Sequence, residues 1–276
     1  MRIDTHQHYW RYTAADYGWI DDAKAVLKRD YVPADVQPLM QTAGFDAAIA
    51  VQARQTADET TALLAFADQH PFVAGVVGWV DLQADDVGEQ LAAIASHRKL
   101  VGIRHIVQDE DDDRFLLRPA FNRGIAMLAE FDLAYDVLVY PKHLPIVAEF
   151  LSRFPSQRFV LDHLAKPEIR HGRLHEWARA LEEVAAAPNV VAKLSGLVTE
   201  ASWSAWTSED LGPYLDVALD LFGPDRLMVG SDWPVCTLAG SYERTMSVFT
   251  RYLSGRPAAA QDAILGGNAR RFWKLA

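Results

Sequence analysis

Two histidines, His6 and His8, stand two residues apart near the start of the chain. A third lies at His163, and an aspartate, Asp232, sits in the run Gly230-Ser-Asp-Trp-Pro234. On a strand, residues i and i+2 face the same side, so His6 and His8 can converge on one cation or one carbonyl. An apolar strand that stops abruptly at Gly-Ser-Asp puts a carboxylate at its mouth. There it can serve as a general base for water or as a metal ligand; a turn or helix N-cap is the bland alternative for the same residue. His163 follows Phe159-Val-Leu-Asp162, where an imidazole can donate to a substrate oxygen, complete a metal shell, or rest as a satisfied half-buried histidine. Arg104 and His105 end another apolar run. An arginine there must be paired or must face a polar cavity, because leaving it buried and unpaired costs several kcal/mol. Trp79, Tyr140 and Lys166 follow further apolar runs and are candidates to hold a substrate. Nucleophilic catalysis has little support. There is no Gly-x-Ser-x-Gly elbow, and the one cysteine, Cys236, reads as a small buried hydrophobe.

The elements that must carry these residues are eight short apolar runs. Strands are expected at Arg2–Thr5, Ala47–Gln52, Phe72–Val80, Leu100–Ile106, Leu133–Val139, Arg158–Asp162, Val190–Leu194 and Leu227–Gly230. Most are unbroken runs of Val, Ile and Leu, the mark of strands buried on both faces in a parallel sheet. Between them lie helical patterns at Pro33–Ala43, Thr56–Ala67, Leu174–Ala187, Ser208–Phe222, Ser241–Leu253 and Ala258–Lys274. Eight strand–helix repeats predict a (β/α)8 TIM barrel occupying residues 1–276 as one domain. A doubly wound sheet is disfavoured, because the first strand runs into Thr5-His6-Gln7-His8 with no glycine to cradle a phosphate. In a barrel of this kind the active site lies at the C-terminal ends of the strands. That is where His6, His8, Trp79, Arg104, His105, Tyr140, His163, Lys166 and Asp232 are expected. The long first connection, Tyr9 to Tyr31, is rich in aromatics and is expected to form a lid or pocket wall, with some of its rings stacking on the substrate.

Composition narrows the function. Half of the 276 residues are hydrophobic and 23% are charged, which excludes disorder and a small disulfide scaffold. Lysine and arginine number 27 against 37 acidic residues, a net charge of −10, so no basic footprint for nucleic acid is expected. No apolar run is long enough to span a bilayer, and the first residues carry no secretory h-region. With one cysteine, a reducing cytoplasm is the expected compartment. Nothing in the pattern sets an oligomeric state.

His-x-His after strand 1, a histidine after strand 6 and an aspartate after strand 8 resemble the amidohydrolase superfamily over essentially the whole length. Asp4-Thr-His-Gln-His-Tyr-Trp10, Gly102-Ile-Arg-His-Ile-Val-Gln-Asp-Glu110 and Gly230-Ser-Asp-Trp-Pro234 further resemble its branch of sugar lactonases, those acting on L-fucono- and L-rhamnono-lactones. The resemblance implies a hydrolase that opens a small-molecule aldonolactone. Asp232 would activate water, and His6, His8 and His163 would polarise the carbonyl. Arg104, His105, Trp79, Tyr140 and Lys166 would hold substrate hydroxyls. Dinuclear members use a carboxylated lysine after strand 4 and a histidine after strand 5. Here strand 4 ends in Arg104-His105 and strand 5 in Val139-Tyr140-Pro141, so two metals are not expected. The resemblance implies turnover with no required metal. If a single divalent ion such as zinc binds, its ligands are His6, His8, His163 and Asp232. The alternatives are a mononuclear metal-dependent hydrolase or decarboxylase on the same barrel, and a sugar-binding barrel without activity.

Overall fold

The structure, a computed structural model, describes residues 1–275. Its core is eight parallel strands: β1 (Ile3–Gln7), β2 (Ala47–Val51), β3 (Val73–Gly78), β4 (Leu100–His105), β5 (Ala134–Val137), β6 (Phe159–Leu161), β7 (Val190–Leu194) and β8 (Leu227–Val229). They pair in chain order, β1 to β8. The ring is brought almost to closure where β8 returns to β1. The Thr5 hydroxyl donates to the Val229 carbonyl at 2.7 Å, Asp232 N to His6 O at 2.9 Å, and His8 N to Trp233 O at 2.7 Å. Eight helices of nine residues or more surround it: Pro33–Ala43, Ala57–Gln69, Val87–Ala95, Pro119–Leu128, Leu144–Ser152, Leu174–Ala185, Ser208–Phe222 and Tyr242–Ser254. This is the (β/α)8 barrel that the alternation of runs predicts. Among the described residues, no helix is long and apolar enough to cross a membrane.

All eight strands fall on the expected runs, with shifted ends. β1 carries on through Thr5-His6-Gln7, so His6 stands within the strand rather than after it. These polar residues stay paired because Asp4, fully buried, accepts from Ser231 N at 2.8 Å and from the Gln7 amide at 2.7 Å. β3 stops at Gly78 because the Thr60 hydroxyl takes over the backbone of Trp79, accepting from its N at 2.7 Å and donating to its O at 2.9 Å. The expected helix Ala258–Lys274 is broken by a wide turn at Ala263–Gly267. There the chain bends beneath the barrel, and the amide of Asn268 donates to the carbonyls of Pro224 and Leu227 at 2.7 Å each.

The barrel interior has two levels. At the N-terminal end Ile3, Ile49, Val77, Val101, Ala134, Val160 and Met228 pack with Ala269 and Trp273 of the returning C-terminal segment. Above that plug the buried residues change character, to His6, Gln52, Arg104, Asp136, Asp162 and Lys193. The opposite strand faces pack on the helices in a much larger apolar layer. A charged level on a dry floor is what the site is built upon.

The first connection is less a lid than an aromatic wedge. Tyr9, Trp10, Tyr17 and Tyr31 are buried, Trp10 and Tyr31 pair through their backbones, and a short 3-10 turn spans Asp22–Leu27. Trp19 alone of its aromatics borders the cleft described below. The wedge is tied down by Arg54, which pairs with Asp16, lies 5.6 Å over the Tyr17 ring and approaches Glu59 at 3.4 Å.

Candidate active site

Three backbone devices bring distant residues together. The first is β1, whose pleat aims His6 at the barrel axis with His8 above it. The second is the turn after β6, where His163, Leu164, Ala165 and Lys166 all take left-handed φ between 51° and 58°. Such a run costs roughly 1–2 kcal/mol per residue for side chains other than glycine. Conformational strain of this kind gathers at functional sites. It is held by Trp177, whose indole N–H donates to Leu164 O at 2.8 Å. Gly196 is required beside it: its φ is +65°, and a Cβ there would stand 2.6 Å from His163 Nδ1. The third device is Asp232, itself left-handed at φ 58°, three residues beyond the end of β8.

The result is a carboxylate ringed by imidazoles. Asp232 Oδ1 lies 3.2 Å from His8 Nε2, 3.8 Å from His6 Nε2 and 3.9 Å from His163 Nε2. His8 Nδ1 is 2.7 Å from the carbonyl of Val51, which can only accept, so Nδ1 carries a proton. His163 Nδ1 is 2.8 Å from the Ser195 hydroxyl. Burial pushes the Asp232 carboxyl up, but His163, the His8 hydrogen bond and His6 together outweigh it and hold the group well below the usual carboxylate range. Burial brings His163 down to about 4 despite the attraction of Asp232. At neutral pH the pair is therefore an ionised carboxylate facing a neutral imidazole.

Beneath it lies a buried charge layer. Arg104 Nη1 donates to Asp162 Oδ2 at 2.9 Å and to His6 Nε2 at 3.2 Å, and Nη2 donates to the carbonyl of Gln52. Lys193 Nζ donates to Asp136 Oδ2 at 2.6 Å and stands 3.0 Å from Asp162 Oδ1 and 3.3 Å from His6 Nδ1. Burial lowers His6 well below its ordinary value, the pull of Asp162 notwithstanding. Burial raises Asp136 to about 6 against Lys193, whereas Asp162, flanked by Lys193, His6 and Arg104, is driven well down although burial opposes it. Asp136 and Lys193 are not among the sequence-predicted site residues. Their signal is present all the same, since a charged residue interrupting a strand buried on both faces needs a partner of opposite sign on another strand of the same barrel.

Above the carboxylate opens a cleft of about 520 Å³, including open space at its mouth. Of the predicted residues, His8, Arg104, His163, Lys166 and Asp232 line it, and Trp19, Gln108 and Asp109 join them. His6 touches Asp232 from below. His105 points the other way. The register against β3 slips between Leu100 and Gly102, which turns Arg104 inward and leaves His105 against the helix layer. There it meets Glu110 at 2.7 Å and stacks on Phe115 at 4.6 Å. Trp79 lies off the cleft beside Thr60, and Tyr140 borders a neighbouring cavity instead.

The amidohydrolase family profile matches residues 3–275. This chain belongs to the amidohydrolase family. An L-fucono-1,5-lactonase from Burkholderia multivorans is 47% identical over 286 residues, covering 100% of this amidohydrolase and 96% of the relative. A second protein of that name, from Burkholderia ambifaria, is 40% identical over 100% and 96%. Crystal structures of an amidohydrolase from Burkholderia multivorans, one with bound HEPES and one with bound zinc, superpose with a TM-score of 0.97 at 46% identity over the full length of both chains.

Proposed function

We propose that this amidohydrolase opens a six-membered sugar lactone of the L-fucono-1,5-lactone kind with water, giving the open-chain hydroxy acid. The observation that carries it is the single ionised carboxylate, Asp232, within 4 Å of three imidazoles at the floor of a cleft edged by Arg104 and Lys166. The names of the two Burkholderia relatives, similar over their whole length, agree with it.

Asp232 takes a proton from water as the oxygen attacks the lactone carbonyl. Negative charge then grows on the carbonyl oxygen. Two donors can meet it: His163 Nε2–H, with Ser195 donating to Nδ1, and the Arg104 guanidinium. Collapse of the adduct breaks the bond between the carbonyl carbon and the ring oxygen, and the proton held by Asp232 passes to the departing alkoxide. His8, anchored on Val51 O, orients Asp232. His6 is better read as the acceptor that fixes Arg104 than as a donor to substrate, because both its nitrogens are engaged within the charge layer. A carboxylate held so far down is a weak base, so catalysis leans on placement and on the cations. General base catalysis supplies about 10²–10⁴-fold and one oxyanion donor about 10²–10³. That suffices for a lactone, whose leaving group is an alkoxide, and is thin for an amide.

The residues also fit one divalent cation. Ligand atoms of His6, His8 and Asp232 lie within 4.8 Å of one another, and His163 Nε2 faces the same carboxylate, a nitrogen-rich set that suits zinc once His6 Nε2 gives up its contact with Arg104. A cation held there would polarise the carbonyl or a bound water. The second such group among the described residues, His6, Asp162 and His163, shares His6 with the first and draws on an Asp162 already paired with Arg104 and Lys193, so a single ion is expected. We infer that turnover does not require the metal, because Arg104 brings a permanent positive charge to the same spot. The test is a pH-indicator assay on aldonolactones with the wild type and Asp232→Asn. Turnover of L-fucono-1,5-lactone by the wild type and a loss of about 10³-fold or more in the variant are expected. A wild type that opens no lactone, or a variant with full activity, overturns the proposal.

A further inference from the structure

Beside the catalytic cleft lies a second cavity of about 720 Å³, open space included, lined by Tyr140, Pro141, Lys142, Lys166, Glu168, Arg173 and Glu200. Lys166 borders both spaces. The other cations around this annex are spoken for: Lys142 Nζ binds Asp113 at 2.6 Å, and Arg173 Nη1 binds Glu168 at 2.9 Å. Lys166 and Glu200 are different. Both are half-buried, and among the described residues neither side chain has a hydrogen bond or an ion pair, to each other or to anything else. The Lys166 ammonium lies 5.5 Å from the centroid of the Tyr140 ring. Both residues are rigidly carried. Lys166 ends the left-handed run that begins at His163. Glu200 ends the short helix Leu197–Glu200, which follows the very glycine that packs on the His163 ring. Burial raises the Glu200 carboxyl to about 7, opposed by Lys166 and reinforced by Asp232 and Glu168.

A fixed donor at the junction of two cavities and a fixed acceptor in the annex beside it, of opposite charge yet left apart, call for a group that does both jobs at once. A hydroxyl accepts from an ammonium and donates to a carboxylate; a methyl or methylene does neither. We propose that Lys166 and Glu200 together recognise a hydroxyl-bearing carbon of the substrate, and that Glu200 thereby sets the preference for polyhydroxylated over plain lactones. The inference rests on the lactonase reading. It assigns the pair to selection of substrate, and the chemical step stays with Asp232. Sites built to bond a hydroxyl reject analogues that lack it far more strongly than apolar pockets reject an added group.

The experiment compares L-fucono-1,5-lactone with δ-valerolactone, which has the same ring without hydroxyls, in the wild type, Glu200→Ala, Glu200→Gln and Lys166→Met. The ratio of kcat/KM for the two lactones is expected to fall about 10–100-fold in Glu200→Ala and Lys166→Met, the range for hydrogen bonds to charged groups. The change should lie mainly in KM, and Glu200→Gln, which keeps an acceptor oxygen, should recover part of it. A ratio that stays put, whether both lactones suffer alike or neither does, overturns the inference. Calorimetric titration with a neutral 6-deoxyhexitol reads the same pair without turnover. Binding by the wild type that weakens about 10-fold in Glu200→Ala supports it; absent or equal binding overturns it. A wild type that opens neither lactone yet binds the polyol in this manner refutes the proposed reaction and leaves the recognition pair standing.

Discussion

Replacing Arg104 by methionine probes both halves of the site at once. Its guanidinium holds Asp162 at 2.9 Å, His6 Nε2 at 3.2 Å and the Gln52 carbonyl, and it lines the cleft. The fully buried layer pairs Asp136 and Asp162 with Lys193 and Arg104, two negative charges with two positive. Arg104→Met leaves one carboxylate in excess where water does not reach. Stripping one partner from a buried pair costs about 3–5 kcal/mol. At roughly 2–4 °C per kcal/mol for a chain of this size, the melting temperature should fall by roughly 6–20 °C. Lactone kcat/KM should also fall by about 10²–10³-fold, the worth of one oxyanion donor. Asp162→Asn alone leaves an excess cation and should destabilise comparably. The double variant restores the count, so it should be more stable than the sum of the single losses predicts by about 2–3 kcal/mol, while activity stays as low as in Arg104→Met. Scanning calorimetry and the pH-indicator assay read the two effects separately. Strict additivity in stability refutes the charge layer, and recovery of activity in the double variant refutes Arg104 as a donor to substrate.

Three further outcomes follow from the same geometry. Gly196→Ala puts a Cβ 2.6 Å from His163 Nδ1 at φ +65°, so it should cost about 1–3 kcal/mol and lower kcat, whereas Gly172→Ala, also at φ +65° but with nothing within 4 Å, should show the strain in a thermal melt and leave kcat alone. Glu200, raised to about 7 among Lys166, Asp232, Glu168, Tyr140 and Arg173, is protonated below that pH, so the KM for a hydroxylated lactone should rise as pH falls through about 7; a pH series in which Glu200→Gln shows the same rise would count against it. Exhaustive chelation should leave lactone turnover within about twofold, because the charge on Arg104 persists, and zinc returned to the stripped protein should bind with one-to-one stoichiometry by calorimetry. Loss of activity on chelation would make the ion a required part of the machinery.

Much of this protein was legible in the order of its residues. Unbroken runs such as Val73–Gly78 and Leu100–His105 belong to strands covered on both faces, and eight of them separated by helical stretches leave the barrel as the fitting architecture. Once the barrel is accepted, strand ends become one place in space, which is why His6, His8, His163 and Asp232 could be grouped across 226 residues of chain. What periodicity could not show was the direction of each side chain. A one-residue slip in the pairing of β4 with β3 turns Arg104 to the axis and His105 to the helices, and no propensity records a slip. The left-handed run from His163 to Lys166 has no glycine to announce it, because Trp177 and the packing on Gly196 impose it from elsewhere. The same holds for the charge layer. Arg104, Asp136 and Lys193 come from three different strands and Asp162 from the residue just past the end of β6, and their charges are tolerable only in each other's company. Local sequence set the elements and the chemistry they carry, because burial and periodicity act over a few residues. Register, left-handed turns and mutual neutralisation were decided by the assembled barrel, because each depends on partners far away in the chain.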